Sequence, residues 1–327
     1  MGFGDILGQE RAVGLLRRAI ETDRLPHGLL FTGPQGVGRF LTAVTVSKAL
    51  NCVGGKTGDA CDRCAACAKI SKAIHPDVHL VAPDGATLKI DQIRALIREA
   101  ALTPYEGRRK TFILDQAETM TPQAQNALLK TLEEPPGPTV FFLIAPEAST
   151  LLSPVVSRCS QIRFAPLPDS VIVARLREQG CEADEAGLLA SLAGGSLGRA
   201  HELRQSPLQE IWDLVAQAFA LSPGRSSPIL DLTERVLAQK EAVSLFLEAL
   251  LACCRDLLVA KVTRRRSPLV HGYPTAALTS QSERYAPAQL LRMHRAVQQT
   301  LDGLARYANP RLSLEAMFVT LRDLQAA

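Results

Sequence analysis

Four cysteines, Cys52, Cys61, Cys64 and Cys67, fall within sixteen residues as C-x8-C-x2-C-x2-C. Thiolates this close supply tetrahedral ligation to a soft divalent ion, and four of them leave no open position for water, so a metal held here is structural and not catalytic. Zinc is the expected ion. An iron–sulfur cluster is the alternative, since the Cys61, Cys64, Cys67 triplet has ferredoxin-like spacing, although the fourth cysteine lies upstream and no Cys-Pro follows. The bland reading is a set of buried or chance thiols. A structural zinc can contribute about 10 kcal/mol or more to folding a small module, enough to order a loop rich in Gly, Asp and Lys that has no core of its own.

A second constellation lies just upstream. Gly33-Pro-Gln-Gly-Val-Gly-Arg-Phe40 follows an apolar run and precedes a helical pattern, the setting of a loop whose backbone N–H groups cradle phosphate at a helix N-terminus. Gly33, Gly36 and Gly38 would permit the close backbone approach. A working loop ends Gly-Lys-Ser/Thr, the lysine reaching the β- and γ-phosphates and the hydroxyl holding Mg2+; here Arg39 and Phe40 stand in those places. Phe40 cannot ligate a metal, and Thr42 lies roughly 200° further round a helix. Further on, Asp115 and Gln116 end the run at 111–114. ATPases of this layout carry Asp then Glu there, the Asp on the Mg2+ network and the Glu on the attacking water, a role the amide of Gln116 cannot fill. The expectation is a degenerate site that does not hydrolyse ATP and whose favoured state is empty. It is either a strand-turn-helix kept for packing or a residual nucleotide cradle built on Arg39 and the loop backbone.

These groups need elements to hold them. Apolar runs at 27–33, 78–82, 110–115, 139–145 and 161–164 predict buried parallel strands, separated by helical spacing at 39–50, 91–102 and 122–134. Ala124, Ala127, Leu128 and Leu132 share one helical face, and Pro135-Pro136 ends that helix. The alternation predicts an α/β doubly wound domain over 1–165, carrying the cysteine module at 52–67. Beyond Ala165-Pro-Leu-Pro-Asp169 only helical patterns remain. A small segment over 166–206 contains Gly194-Gly195 and is closed by Ser206-Pro207; a larger one over 207–327 is interrupted at 222–228 and around 268–274.

Composition narrows the class. At 327 residues the chain exceeds one ordinary core, and 46% hydrophobic with 21% charged residues excludes wholesale disorder. The apolar stretches are short or interrupted, as by Glu248, so no membrane span is expected. The N-terminal residues show no leader pattern and eight cysteines lack the layout of a disulfide framework, which leads to a cytoplasmic expectation. A net charge of +4 permits contact with nucleic acid without requiring it.

Phe3-Gly-Asp-Ile-Leu-Gly-Gln-Glu10, the glycine loop, the four cysteines, Asn126-Ala-Leu-Leu-Lys-Thr-Leu-Glu-Glu-Pro-Pro136 and Ser157-Arg-Cys159 occur in this order. In that combination the chain resembles bacterial DNA polymerase III clamp-loader subunits of the AAA+ ATPase class over about residues 3–205. The remainder matches only in being helical and of suitable length. Within the family, gamma/tau motor subunits carry intact ATP motifs, whereas the delta-prime type often has an eroded loop while keeping zinc and Ser-Arg-Cys; this chain is similar to the second pattern. The resemblance implies an AAA+ P-loop-type parallel-sheet domain with a zinc module, a small helical lid and an all-helical C-terminal collar. It implies a hetero-pentamer with gamma/tau and delta subunits that opens the ring-shaped sliding clamp and places it on primed DNA. It also implies that Arg158 acts in trans, as an arginine finger on the γ-phosphate in a neighbour's ATP site. In GTPases such a guanidinium is worth about 10³ to 10⁵ in rate. Without the family, Arg158 reads as an ordinary surface or ion-paired arginine.

Two other function classes compete: an ATP-hydrolysing gamma/tau-type subunit with an unusual loop, and a zinc-dependent nucleic-acid-binding module outside replication. Smaller features take bland readings. Cys159 reads as a small buried residue, and His75-Pro-Asp77 with His79 as turn and strand residues in preference to metal ligands. Motor subunits place an arginine directly after Gly-Ser-x in the lid; here Gly198 stands there and Arg199 follows, turned by roughly 100°, so a lid turn is preferred to a nucleotide sensor. Arg264-Arg-Arg266 reads as solvated surface.

Overall fold

Along the strand at Thr139–Ala145 every side chain is buried, and its residues alternate between two cores. Phe141, Leu143 and Ala145 belong to one; Val140, Phe142 and Ile144 belong to the other. A strand covered on both faces has to be apolar at every position, which is why this stretch reads as a continuous hydrophobic run. The computed structural model describes residues 2–54, 58–221, 227–238, 243–263 and 285–326. The five strands are β1 (Gly28–Thr32), β2 (Val78–Val81), β3 (Lys110–Leu114), β4 (Thr139–Ala145) and β5 (Ser160–Arg163), in the order β2-β3-β4-β1-β5. All neighbouring pairs run parallel, with Leu30 opposite Leu143 and Ile113 opposite Phe142. The expected parallel α/β sheet is therefore present, each strand within two residues of its predicted bounds.

Helix α1 (Glu10–Glu21) precedes β1, and α2 (Arg39–Asn51), α3 (Ala65–Ser71), α4 (Ile90–Ala100), α5 (Pro122–Glu133) and the short α6 (Ser153–Val156) lie in the connections between strands. One face of the sheet packs Leu30, Phe112, Leu114 and Phe141 against Ile93 and Leu96 of α4 and Leu128 and Leu132 of α5. The other packs Leu29, Phe31, Ile113 and Phe142 against Leu16 of α1 and Val46 of α2. The stop signal at α5 acts as read, the helix ending two residues before Pro135; at its start Pro122 sits in the first turn and the Thr121 hydroxyl accepts the Ala124 N–H at 3.2 Å.

The chain divides into two compact units, one formed by Met1–Val171 with Gly195–Gly198 and the other by Ile172–Gly194 with Arg199–Ala327. Beyond β5 the regular elements among the described residues are all helices: α7 (Asp169–Glu178), α8 (Ala183–Ala193), α9 (Leu197–Gln205), α10 (Leu208–Phe219), α11 (Ser227–Ala238), α12 (Val243–Thr263), α13 (Pro287–Ala305) and α14 (Pro310–Ala326), with the first residues of α7 and α9 in the first unit. Helix α12 packs on α13 and α13 on α14, with Phe246 and Phe318 meeting edge to face at 6.0 Å. Gly194, φ +57°, ends α8 in the left-handed conformation. The predicted interruption around 268–274, most of that at 222–228, and Arg264 to Arg266 lie outside the described residues. Among the described residues no helix is long and apolar enough to cross a membrane.

Candidate functional site

Two helix ends build the cysteine cluster. Cys52 follows the last turn of α2, Cys64 is the residue before α3, Cys67 lies in the first turn of α3, and Cys61 precedes it by six residues. Their sulfurs all lie within 4.8 Å of one another, with Cys52 and Cys64 Sγ 3.9 Å apart. The four predicted ligands are thus brought together, and the cluster can hold one metal ion. Burial pushes the Cys64 thiol up, but the N–H groups of Cys67 and Val53 and the adjacent thiols outweigh it and bring it down to about 6. N–H groups of Arg63 and Cys64 lower the Cys61 thiol as well, whereas burial pushes Cys67 up to about 12. Two of the four sulfurs are therefore predisposed to the thiolate form that a metal binds. The loop is tied to the domain by charge: Lys48, buried in α2, pairs with Asp62 at 2.7 Å, and Arg17 pairs with Asp59 at 2.9 Å. Neither pair was visible in the cysteine spacing.

At the C-terminal edge of β1 the glycine loop turns into α2. Gly36 has φ +73° and lies so close to Ser196 and Gly198 that a Cβ would approach the Ser196 Oγ to 2.3 Å; the Gly36 carbonyl accepts the Gly198 N–H at 3.0 Å. The loop is thus backed by the segment Gly195–Gly198. Arg39, the first residue of α2, is 9% exposed, and its Nη1 donates to the carbonyl of Ala145 at the end of β4. Burial lowers its pKa, and the carboxylates of Glu118 and Asp115 act in the opposite direction. Arg39 is consequently turned inward, toward the acidic end of β3. Glu118 Oε2 is buried and has no hydrogen-bond partner among the described residues; the Arg39 guanidinium offers it opposite charge, not a hydrogen bond. Nothing in the spacing marked Glu118, which follows β3 by four residues.

The other loop positions stand as their chemistry requires. Phe40 is 41% exposed. Thr42 is fully buried and its hydroxyl donates back to the Gly38 carbonyl at 2.8 Å, which occupies it within the helix. Gln116 adopts φ +52° at the end of β3, beside Asp115. A cleft of about 400 Å3 opens next to Gly33, lined by Thr32, Pro146, Ser149, Gln161, Arg163 and Phe164.

Arg158 lies elsewhere on this unit, in the turn between α6 and β5. Its backbone is closely confined, for a Cβ on Gly28 would meet the Arg158 carbonyl at 3.0 Å and Cys159 Sγ at 3.4 Å. Its guanidinium donates to the Pro154 carbonyl at 2.9 Å and pairs with the carboxylate of Glu133, the last residue of α5. Sequence reasoning missed Glu133, which is 25 residues away along the chain. Cys159 is pushed up to about 12 by burial, in keeping with an inert packing residue.

The bland readings of the remaining polar residues agree with their surroundings. Asp77 is fully buried and accepts the N–H groups of Tyr105, Glu106 and Gly107 at 2.7, 2.9 and 2.6 Å. His75 Nδ1 accepts the Asp77 N–H at 3.1 Å, and His79 stacks on Phe112 at 4.7 Å. Arg199 pairs with Glu248 at 2.7 Å and Glu202 at 3.4 Å.

A parallel sheet in the order β2-β3-β4-β1-β5, with a glycine loop at the end of β1 and an acidic residue at the end of β3, makes the first unit an AAA+-like α/β domain. Residues 8–168 match the model of the family described as DNA polymerase III, delta subunit. It is 40% identical over 184 residues to the DNA polymerase III subunit delta' of Bacillus subtilis, covering 56% of each chain. It is 35% identical over 202 residues to the gamma/tau subunit of Mycoplasma pneumoniae, covering 60% of this chain and 29% of that one. The chain therefore spans about half or less of the curated relatives it matches. A DNA polymerase III gamma-subunit-related protein of Thermotoga maritima superposes with a TM-score of 0.42 at 21% identity, covering 96% of this chain and 99% of that one.

Proposed function

We propose that this chain is a non-hydrolysing, delta-prime-type subunit of the DNA polymerase III clamp loader, contributing Arg158 to the ATP site of a neighbouring gamma/tau subunit. The observation that carries the reading is Arg39: where a phosphate-binding lysine belongs, a buried guanidinium is bonded to the Ala145 carbonyl and faces Glu118 and Asp115. Its charge is thereby spent within the fold. With Phe40 in the Mg2+ position and Gln116 in that of the base, the first offers no hydroxyl to the metal and the second no group that accepts the proton of water. ATP is not a ligand of this chain in that account.

Arg158 retains what a trans-acting group needs. It lies on a turn whose backbone is confined by Gly28, and its side chain is 30% exposed. A guanidinium brought to a neighbour's γ-phosphate would stabilise charge in the transition state through planar, bidentate donation. The four cysteines would hold a structural zinc: for Zn–S bonds of about 2.3 Å, tetrahedral sulfurs lie about 3.8 Å apart, and Cys52 and Cys64 stand 3.9 Å apart. Within this reading residues 1–165 form the AAA+ domain, 166–206 the lid and 207–327 the collar. The complete loader, a cytoplasmic hetero-pentamer with gamma/tau and delta subunits, would open the sliding clamp on primed DNA.

A second reading, an ATP-hydrolysing gamma/tau-type subunit, is favoured by the similarity of this chain to gamma/tau proteins over some 60% of its length. ATP turnover separates the two. The purified chain is expected to show none, whereas robust hydrolysis abolished by Asp115→Ala would overturn the proposal. Reconstitution with gamma/tau and delta subunits then tests the finger: Arg158→Ala should leave the complex assembled and remove most of its clamp-loading activity.

A further inference from the structure

We propose that Glu133 is a positioning residue for Arg158: it holds the guanidinium in cis in the free chain, and it is the group that an incoming phosphate displaces. The proposal rests on the reading that Arg158 meets a neighbour's nucleotide.

The geometry separates what is pinned from what can move. Glu133 ends α5, whose Leu128 and Leu132 are fully buried under the sheet, so its backbone is anchored. Arg158 is confined on the other side, where β1 passes so close at Gly28 that no Cβ fits comfortably against the Arg158 carbonyl. Between these anchors only the two side chains have freedom. Their exposures, 30% for Arg158 and 50% for Glu133, put the ion pair in contact with solvent.

Such a pair biases its partners only weakly. An exposed ion pair favours its paired conformer by about fivefold at most. The cis arrangement also leaves Arg158 Nε buried without a hydrogen-bond partner among the described residues, which counts against it. Nη1 is taken by the Pro154 carbonyl at 2.9 Å, and the Ser157 hydroxyl, at 3.5 Å, is too distant to hold it firmly. The guanidinium is therefore parked, oriented and incompletely satisfied. A phosphate group, with several anionic oxygens and room for two parallel N–H donations, is a better partner than one carboxylate. Exchange of Glu133 for phosphate needs a change in the arginine side-chain torsions alone and no movement of α5 or β1. The pairing also accounts for the Leu-Glu-Glu-Pro-Pro stretch, whose prolines end α5 so that its last side chain lies against the Ser-Arg-Cys turn.

Glu133→Gln keeps the shape and a carbonyl acceptor but removes the charge. Two measurements test the inference. In the full-length chain, NMR of the Arg158 side chain should show rotation about Nε–Cζ at least about twofold faster in Glu133→Gln than in the wild type, the difference shrinking toward 1 M salt, where the screening length is about 3 Å. In the loader reconstituted with gamma/tau and delta subunits, Glu133→Gln should lower the KM for ATP about two- to fivefold, with kcat moving less than KM. Unchanged rotation, or a fall in kcat with KM unaltered while Arg158→Ala abolishes turnover, would sink the inference and leave the finger intact. Faster rotation in Glu133→Gln together with normal turnover in Arg158→Ala would instead remove the finger, and with it the role assigned to Glu133. Because Glu133 is half exposed, the variant should melt with the wild type, which the same samples establish.

Discussion

Replacing Arg39 by methionine distinguishes a side chain built into the fold from one kept for nucleotide. Arg39 is 9% exposed, bonded to the Ala145 carbonyl, and faced by Glu118 and Asp115. Losing its guanidinium removes a charge-assisted hydrogen bond, about 1.5–3 kcal/mol. It also removes the positive charge that Glu118 and Asp115 feel without forming an ion pair with it, an effect smaller than the about 3–5 kcal/mol lost when a buried pair is broken from one side. Asp115 is only half-buried and water can reach it, so the lost hydrogen bond dominates and Arg39→Met should destabilise the first unit by about 2–3 kcal/mol. With a urea slope of about 1–3 kcal/mol per M, the midpoint falls by roughly 1–3 M. Trp212 lies in the second unit, so its fluorescence would miss the change; amide exchange of β1, β3 and β4 reports it directly. Adding Glu118→Gln should restore about 1 kcal/mol or more, because it removes the stranded carboxylate. A loss below about 0.5 kcal/mol, the range of ordinary surface substitutions, combined with loss of measurable ATP binding, would refute the reasoning and make Arg39 a nucleotide ligand.

Three further outcomes follow from the same geometry. Elemental analysis should find one zinc per chain, absent in Cys64→Ser, and a chelator should remove the exchange protection of α3, since a metal that orders a small module contributes about 10 kcal/mol to it. Gly36→Ala should lower stability by about 1–3 kcal/mol and perturb the amides of Ser196 and Gly198, because the new Cβ would fall 2.3 Å from the Ser196 Oγ at a backbone φ of +73°. Burial pushes the Asp77 carboxyl up, but the N–H groups of Glu106, Tyr105 and Gly107 outweigh it and hold it below the ordinary value. Its contribution is therefore complete above an unfolded pKa of about 3.9 and disappears as pH falls through the lower folded pKa. Asp77→Asn should cost about 2–4 kcal/mol at pH 7, with the gap to the wild type closing below about pH 4 in acid-unfolding curves.

The sequence by itself determined the α/β sheet and the cysteine cluster, because both follow from short-range pattern. A strand buried on both faces has to be apolar throughout, as at 139–145, and four cysteines between the end of one helix and the first turn of the next have little choice but to converge. It also determined that Phe40 and Gln116 lack the chemistry of a metal ligand and a base, since that depends on residue type alone. Direction and partner were different. Arg39 turning to the Ala145 carbonyl, Gly36 meeting Gly198, Asp77 collecting N–H groups 28 to 30 residues on and Glu133 holding Arg158 are contacts between segments far apart in the chain. No periodicity encodes them; they exist only once the sheet brings the ends of β1, β3 and β4 to one edge and packs α5 beside the turn that precedes β5.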